Sequence, residues 1–317
     1  MGPRCGLKML RLLFRAILKI DSSRRGSHSL PRRRRLLESS ALLVPMARGV
    51  EVEEVVVGGV RCEWVEPLQP ERRSVVVYLH GGAFCLGSPK SHRHLVSRLS
   101  RLTGLSFVVP DYRLSPEHPF PAALEDSVAV YRSLRAQGFA PEQIALAGDS
   151  AGANLLLSLL LSLKKSGDEL PACAVCFSPV TDLDRTSPEV AEADREREPR
   201  DPMLSPENVA PLRNAYAGRA DRKNPLLSPI FGDLSGLPPL LLQAGGDELL
   251  LPDSEHFAAR AEASGVRVRL EVYPKMWHAF QTFVPLLPAA RRAVSASAEF
   301  LIQQCVSALS GAARRGR

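Results

Sequence analysis

An α/β fold built on a mainly parallel sheet is predicted by two observations: short apolar, β-branched runs alternate with segments of helical periodicity along the chain, and 45% hydrophobic content over 317 residues suffices for one substantial core. The strand runs are SVVVYL (74–79), LSFVVP (105–110), QIALAG (143–148), ACAVCF (172–177), PLLLQAG (239–245) and VRVRLEVY (266–273). Between them SHRHLVSRLSRL, ALEDSVAVYRSLRAQ, AGANLLLSLLLSLKKSG and SEHFAARAEASG carry the helical period, which places helices on both faces of the sheet. Ahead of these, VEVEEVVVGGVRCEWV reads as an antiparallel pair turning at Gly58 and Gly59.

One stretch breaks the rhythm. Residues 181–235 are rich in charge and proline, include EADREREPRDP, and hold only short helical patterns. An insertion of that length between two sheet strands is usually functional, commonly a lid or a binding wall. The predicted organisation is therefore N-terminal helices (1–50), a first core segment (51–180), the insertion (181–235), a second core segment (236–310) and a basic tail (311–317).

The net charge of +7 is unevenly spread: residues 1–50 hold 12 Lys and Arg against 2 acids, and the remaining chain carries −3. A nucleic-acid-binding body is excluded on that balance. Within the arm, GLKMLRLLFRAILKI has the spacing of an amphipathic basic helix, and RRRR (32–35) leads into LLESSALL as the solvated start of a second helix. Arg11 and Arg15 interrupt the apolar stretch, which argues against a signal peptide. The arm is read as two helices packed on the body, in preference to membrane contact, and the protein is expected to be cytoplasmic. Six cysteines, at 5, 62, 85, 173, 176 and 305, make no disulfide framework and no second pair to complete a zinc site around Cys173 and Cys176, so they are expected as reduced, buried thiols.

Chemistry in such a sheet collects at the carboxyl ends of the strands. LAGDSAG (146–152) puts Ser150 there, directly after one strand and before a helix. The competing reading is an N-cap serine, which requires nothing elsewhere in the chain. A nucleophile on a sharp strand-to-helix turn requires small neighbours, a base, an acid and oxyanion donors. Gly148 and Gly152 are the small neighbours. In the chain order Ser, acid, His, the base is His278, in the loop PKMWHAF after the last strand, rather than His256, inside a helix. Asp247 is the first acid after PLLLQAGG and is assigned as the triad acid, with Glu248 in reserve. Gly81, Gly82 and Ala83, following an apolar strand, together with Ala151 after the nucleophile, supply the oxyanion N–H groups. His80 and Asp149 are assigned to shaping that loop, and Trp277 to packing.

The pieces HGGAF, DYRLSPEHPFPAALED, GDSAGAN, SPIFGDLSGLPPLLLQAGGDELLLPDS and MWHAF, in this order over about residues 75–285, resemble the hormone-sensitive-lipase-like branch of the α/β-hydrolases. The resemblance implies an α/β-hydrolase fold with an eight-stranded sheet, a helical cap made from the N-terminal helices and the 181–235 insertion, and a triad of Ser150, Asp247 and His278. Two departures stand out: Ala83 replaces the third glycine of HGGG, and Ala153 follows GDSAG where glycine is frequent. The expected activity is hydrolysis of small-molecule esters with short to medium acyl chains through an acyl-enzyme, with no metal or cofactor and no nucleic-acid partner. A homodimer is left open. An amidase or deacetylase of a small natural product, and a receptor that keeps the fold without its chemistry, are the alternatives; His278 in a matching WHAF argues against the receptor.

Overall fold

A computed structural model describes residues 30–315, apart from 43 and 71–73. The amphipathic stretch around Lys8 to Lys19, and Cys5, lie outside the described residues. Eight strands hydrogen bond in the order β1-β2-β4-β3-β5-β6-β7-β8. β1 (Val50–Val57) and β2 (Val60–Pro67) form the antiparallel pair, turning at Gly58 and Gly59, and β2 runs antiparallel to β4 (Ser106–Pro110). From β4 onward the sheet is parallel, through β3 (Val75–Leu79), β5 (Ile144–Asp149), β6 (Ala174–Phe177), β7 (Leu240–Gly245) and β8 (Val268–Tyr273). β3 to β7 are buried along their whole length, as continuous aliphatic runs require when helices cover both faces.

Two apolar cores follow, one on each face. Leu146, Leu156 and Leu160 belong to one, and Phe107, Trp277 and Leu301 to the other. Cys176 and Cys173, three apart across β6, fall in opposite cores, as a period of two dictates. Both are free, buried thiols, as are Cys62 and Cys85. The helix Ala151–Ser166 is enclosed from Ala151 to Leu161, where its residues are mostly apolar, and it ends with Lys164 and Lys165 in the last turn before Gly167 in the left-handed region. A closing helix, Pro288–Arg315, continues past residue 310, where the sequence suggested a basic tail. Among the described residues, no helix is long and apolar enough to cross a membrane.

The insertion between β6 and β7 contributes two helices, Pro188–Arg197 and Pro206–Ala217. Each starts at a Ser-Pro pair, where Ser187 and Ser205 accept the N–H groups of Val190 and Asn208. Arg185 bridges Asp194 of the first helix to Asp253 of the core helix Leu251–Ala263, which fastens the insertion to the sheet domain. At the other end of the chain, the helix Leu30–Leu42 holds the RRRR run. Arg34 within it is not a solvated charge: it donates to the carbonyls of Cys85 (2.7 Å) and Ser115 (2.8 Å) and pairs with Glu117.

Candidate active site

Ser150 leaves β5 with φ 53° and ψ −117°, a strained conformation for a residue with a side chain. The turn is tight enough that a Cβ on Gly152 would stand 1.9 Å from the carbonyl oxygen of Leu79, and one on Gly148 would stand 2.7 Å from the same atom. Only glycine lets β3 and the nucleophile helix approach so closely. The Ser150 hydroxyl makes no capping bond to its helix. It lies instead 2.8 Å from Nε2 of His278. The N-cap reading of Ser150 therefore fails, and the residue belongs to a serine–histidine pair.

His278 is buried in the loop after β8, and that burial pushes its imidazole down to about 4. The ring is neutral near pH 7, the form that accepts a proton from serine. His256, the alternative, lines a small cavity beneath the insertion with Thr181, Arg185 and Asp253.

The loop after β7 places its two adjacent acids differently. Asp247 is half-buried, its N–H bonded to Met276 O, and the Nδ1 of His278 hydrogen bonds to neither acid. The enclosed carboxylate is that of Glu248. Its Oε2 accepts from the Gly245 N–H (2.9 Å) and from Ser178 Oγ (2.6 Å), while Oε1 is buried without a partner. Ser178 in turn accepts the N–H of Ala279, the residue after His278 (3.0 Å). Glu248 is thus fastened to the histidine loop through one hydroxyl. The turn at Gly246 aims Asp247 outward and the longer Glu248 side chain inward, a difference of one residue that strand periodicity does not resolve.

Asp149 braces the oxyanion loop. Its buried carboxylate accepts from Tyr78 Oη (2.8 Å) and the Gly81 N–H (2.9 Å), and it pairs with His92 at 3.3 Å. The Gly81 N–H is therefore already engaged, which removes it from the expected oxyanion donors and leaves Gly82, Ala83 and Ala151. Ala151 is the first residue of its helix, so its N–H has no intrahelical acceptor. Ala83 takes φ 52°, the left-handed region that the glycine it replaces would enter without cost. His80 stacks on Tyr112 at 4.2 Å, and Tyr112 Oη donates to His80 O (2.6 Å), which ties the start of this loop to the segment after β4. Trp277 is fully buried and packs edge-on against Phe283. Arg113 pairs with Asp126 and Glu125, bracing the segment after β4. His92, Ser178 and the buried Asp201 were not legible in the sequence, because nothing in their local pattern separates them from ordinary turn and helix residues.

Residues 76–282 match the family model for the α/β-hydrolase fold. An acetyl-hydrolase of Streptomyces hygroscopicus is 42% identical over 247 residues, covering 78% of this chain and 81% of its own. An esterase of Acinetobacter venetianus is 37% identical over 268 residues, covering 84% and 87%. Among solved structures, an esterase from the bacterial hormone-sensitive lipase family superposes with a TM-score of 0.88 at 37% identity, covering 96% of this chain and all of that one. With the serine–histidine pair at the matching strand ends, these similarities make the chain a member of the hormone-sensitive-lipase-like branch, family IV, of the α/β-hydrolases, a family of carboxylic ester hydrolases.

Proposed function

We propose that this protein hydrolyses short- to medium-chain acyl esters through a Ser150–His278–Glu248 triad and an acyl-enzyme intermediate. The observation that carries the reading is the 2.8 Å contact between His278 Nε2 and Ser150 Oγ at a strained strand-to-helix turn. His278 takes the Ser150 proton as Oγ attacks the ester carbonyl. The N–H groups of Gly82, Ala83 and Ala151 receive the oxyanion, and His278 returns the proton to the leaving alcohol. Water then opens the acyl-enzyme by the same relay. In this reading the acid role passes from Asp247 to Glu248, whose Oε1 is buried without a hydrogen bond, as is the Nδ1 of His278. A carboxylate there stabilises the imidazolium that forms in each step.

The short-chain preference draws support from the insertion. Phe84 of the oxyanion loop stacks on Tyr216 of the helix Pro206–Ala217 at 3.7 Å, and Cys85 Sγ bonds to Leu212 O of the same helix. The insertion and the helix Leu30–Leu42 both bear on this loop, and in this reading they form the cap. A cap seated on the oxyanion loop restricts the acyl side to groups of a few carbons in this reading, and the acetyl-hydrolase among the relatives agrees with it.

The test is a p-nitrophenyl ester series from acetate to palmitate, run beside an anilide. Hydrolysis should peak at short acyls, exceed the anilide rate, and fall on the order of 10⁶-fold in Ser150→Ala, which should also lose organophosphonate labelling. A Ser150→Ala protein keeping more than a few per cent of activity would assign the attack to another residue. A dominant anilide rate would make the protein an amidase.

A further inference from the structure

We infer that the stretch from Arg197 to Asp201, where the insertion turns back from its first helix, is the positioning element for the acid-bearing loop, with Asp201 as its hub. Asp201 is 4% exposed. Its Oδ1 accepts the N–H groups of Met203 (2.8 Å) and Leu204 (3.3 Å), which fixes the turn leading into the next helix. Its Oδ2 accepts the N–H of Leu249 (2.8 Å), the residue after Glu248. Four residues earlier, Arg197 Nη1 donates to the carbonyls of Gly246 (3.2 Å) and Glu248 (3.5 Å). The main chain on both sides of Glu248 is therefore held by two ionised side chains that both come from the insertion.

Burying a carboxylate is costly unless its lone pairs are satisfied, and here amide N–H groups satisfy it. Among the described residues, no cation lies within ion-pair distance of Asp201, so the charge serves those amides and not a counterion. Burial pushes its carboxyl up to about 6, which leaves it ionised near pH 7. A triad acid acts through the orientation it imposes on the imidazole, so a support that fixes the acid's backbone sets turnover. The insertion then does two jobs: it covers the acyl site and it completes the triad's scaffold.

The inference rests on Glu248 being the acid, and the test separates the two. In the full-length protein, Asp201→Asn keeps the shape and one acceptor but turns an amide nitrogen towards a donor N–H. On p-nitrophenyl butyrate, kcat should fall about 10- to 100-fold with KM within about threefold, and the rate of organophosphonate labelling should fall in parallel. Arg197→Met should lower kcat by about three- to tenfold in the same pattern, and it carries the test if Asp201→Asn does not fold. Combined with Glu248→Gln, Asp201→Asn should cost little further, because the loop then has no carboxylate to aim. An Asp201→Asn or Arg197→Met enzyme with unchanged kcat, or with a raised KM as its only defect, would overturn the inference and reduce the stretch to a wall of the pocket. If Glu248→Gln alone leaves kcat intact, the acid assignment falls, while the single-substitution kcat values still decide the positioning role.

Discussion

Ser178 and Glu248, 70 residues apart, are joined by a 2.6 Å hydrogen bond from the serine hydroxyl to the buried carboxylate. That hydroxyl also receives the N–H of Ala279, so one side chain, beside the main-chain bonds from Gly246 to Tyr273 and from Asp247 to Met276, joins the acid loop after β7 to the histidine loop after β8. The Gly245 N–H also bonds Oε2, which leaves Oε1 buried without a hydrogen bond.

The first prediction separates neighbouring acids. Glu248→Gln should lower kcat by about 10³-fold or more, in the range known for a triad acid replaced by its amide. Asp247→Asn should change kcat by no more than a few-fold, and Ser178→Ala should cost about tenfold through lost orientation. Steady-state kinetics on one short ester decides it. The reverse ranking of the two acids would return the role to Asp247.

The second concerns pH. Burial, reinforced by the negative charges of Asp201 and Asp253, pushes the Glu248 carboxyl up to about 8, while burial holds His278 down to about 4. The base is thus ready across the neutral range, and the carboxylate is what must form. On this reading kcat/KM climbs from pH 6 and levels above about 8. The sign for stability is the opposite. A carboxyl whose folded pKa is raised keeps a proton that the unfolded chain releases near its ordinary value, so its contribution is full below that value and is lost as pH rises through about 8. The thermal midpoint of the wild type should accordingly fall relative to Glu248→Gln between pH 5 and 8. An activity profile flat from pH 6 to 9 would remove Glu248 from the mechanism.

Much of this arrangement was legible in the residues alone. Aliphatic runs alternating with helical periods predict β3 to β7 to within one or two residues, because a strand covered on both faces has no polar positions to confuse the pattern, and the half-buried β8 is found to within two residues from its alternation of apolar and charged positions. The pairing of Ser150 with His278 was legible because each sits where only small or loop residues fit. Which of the two adjacent acids is enclosed was not: the direction of a side chain in a three-residue turn depends on bonds to Met276 and Ser178 in other loops. Arg34 was hidden for a similar reason. In a run of four arginines, nothing in the local pattern points to the carbonyls, 51 and 81 residues further along, that Arg34 reaches.

The third prediction tests the tight turn under Ser150. A methyl group on Gly152 would overlap the Leu79 carbonyl, and neither β3, buried throughout, nor the nucleophile helix, buried from Ala151 to Leu161, is free to retreat. Gly152→Ala should destabilise the fold by about 3 kcal/mol or more, read from the urea midpoint, and should abolish organophosphonate labelling of whatever protein remains folded. A variant with the wild-type midpoint and labelling rate would mean that the turn has slack the geometry does not show.

The last prediction concerns the basic arm. Arg34 ties the helix Leu30–Leu42 to Cys85, three residues past Gly82 in the oxyanion loop, and to Ser115 and Glu117 in the segment after β4. Arg34→Met keeps the helix's apolar contacts and removes the tie, leaving two main-chain carbonyls without their donor. That should cost about 1–3 kcal/mol of stability and lower kcat/KM several-fold by loosening the oxyanion loop. Deleting residues 1–40 removes both the tie and the surface the helix covers, so solubility and most turnover should go together. The comparison is informative because the two variants share only the loss of Arg34. If Arg34→Met is impaired and the deletion is worse, the arm is a wall of the active site. A soluble deletion with full activity on the same esters would make the arm a dispensable tether, and binding of the isolated segment to anionic liposomes would then be the measurement that identifies what it tethers to.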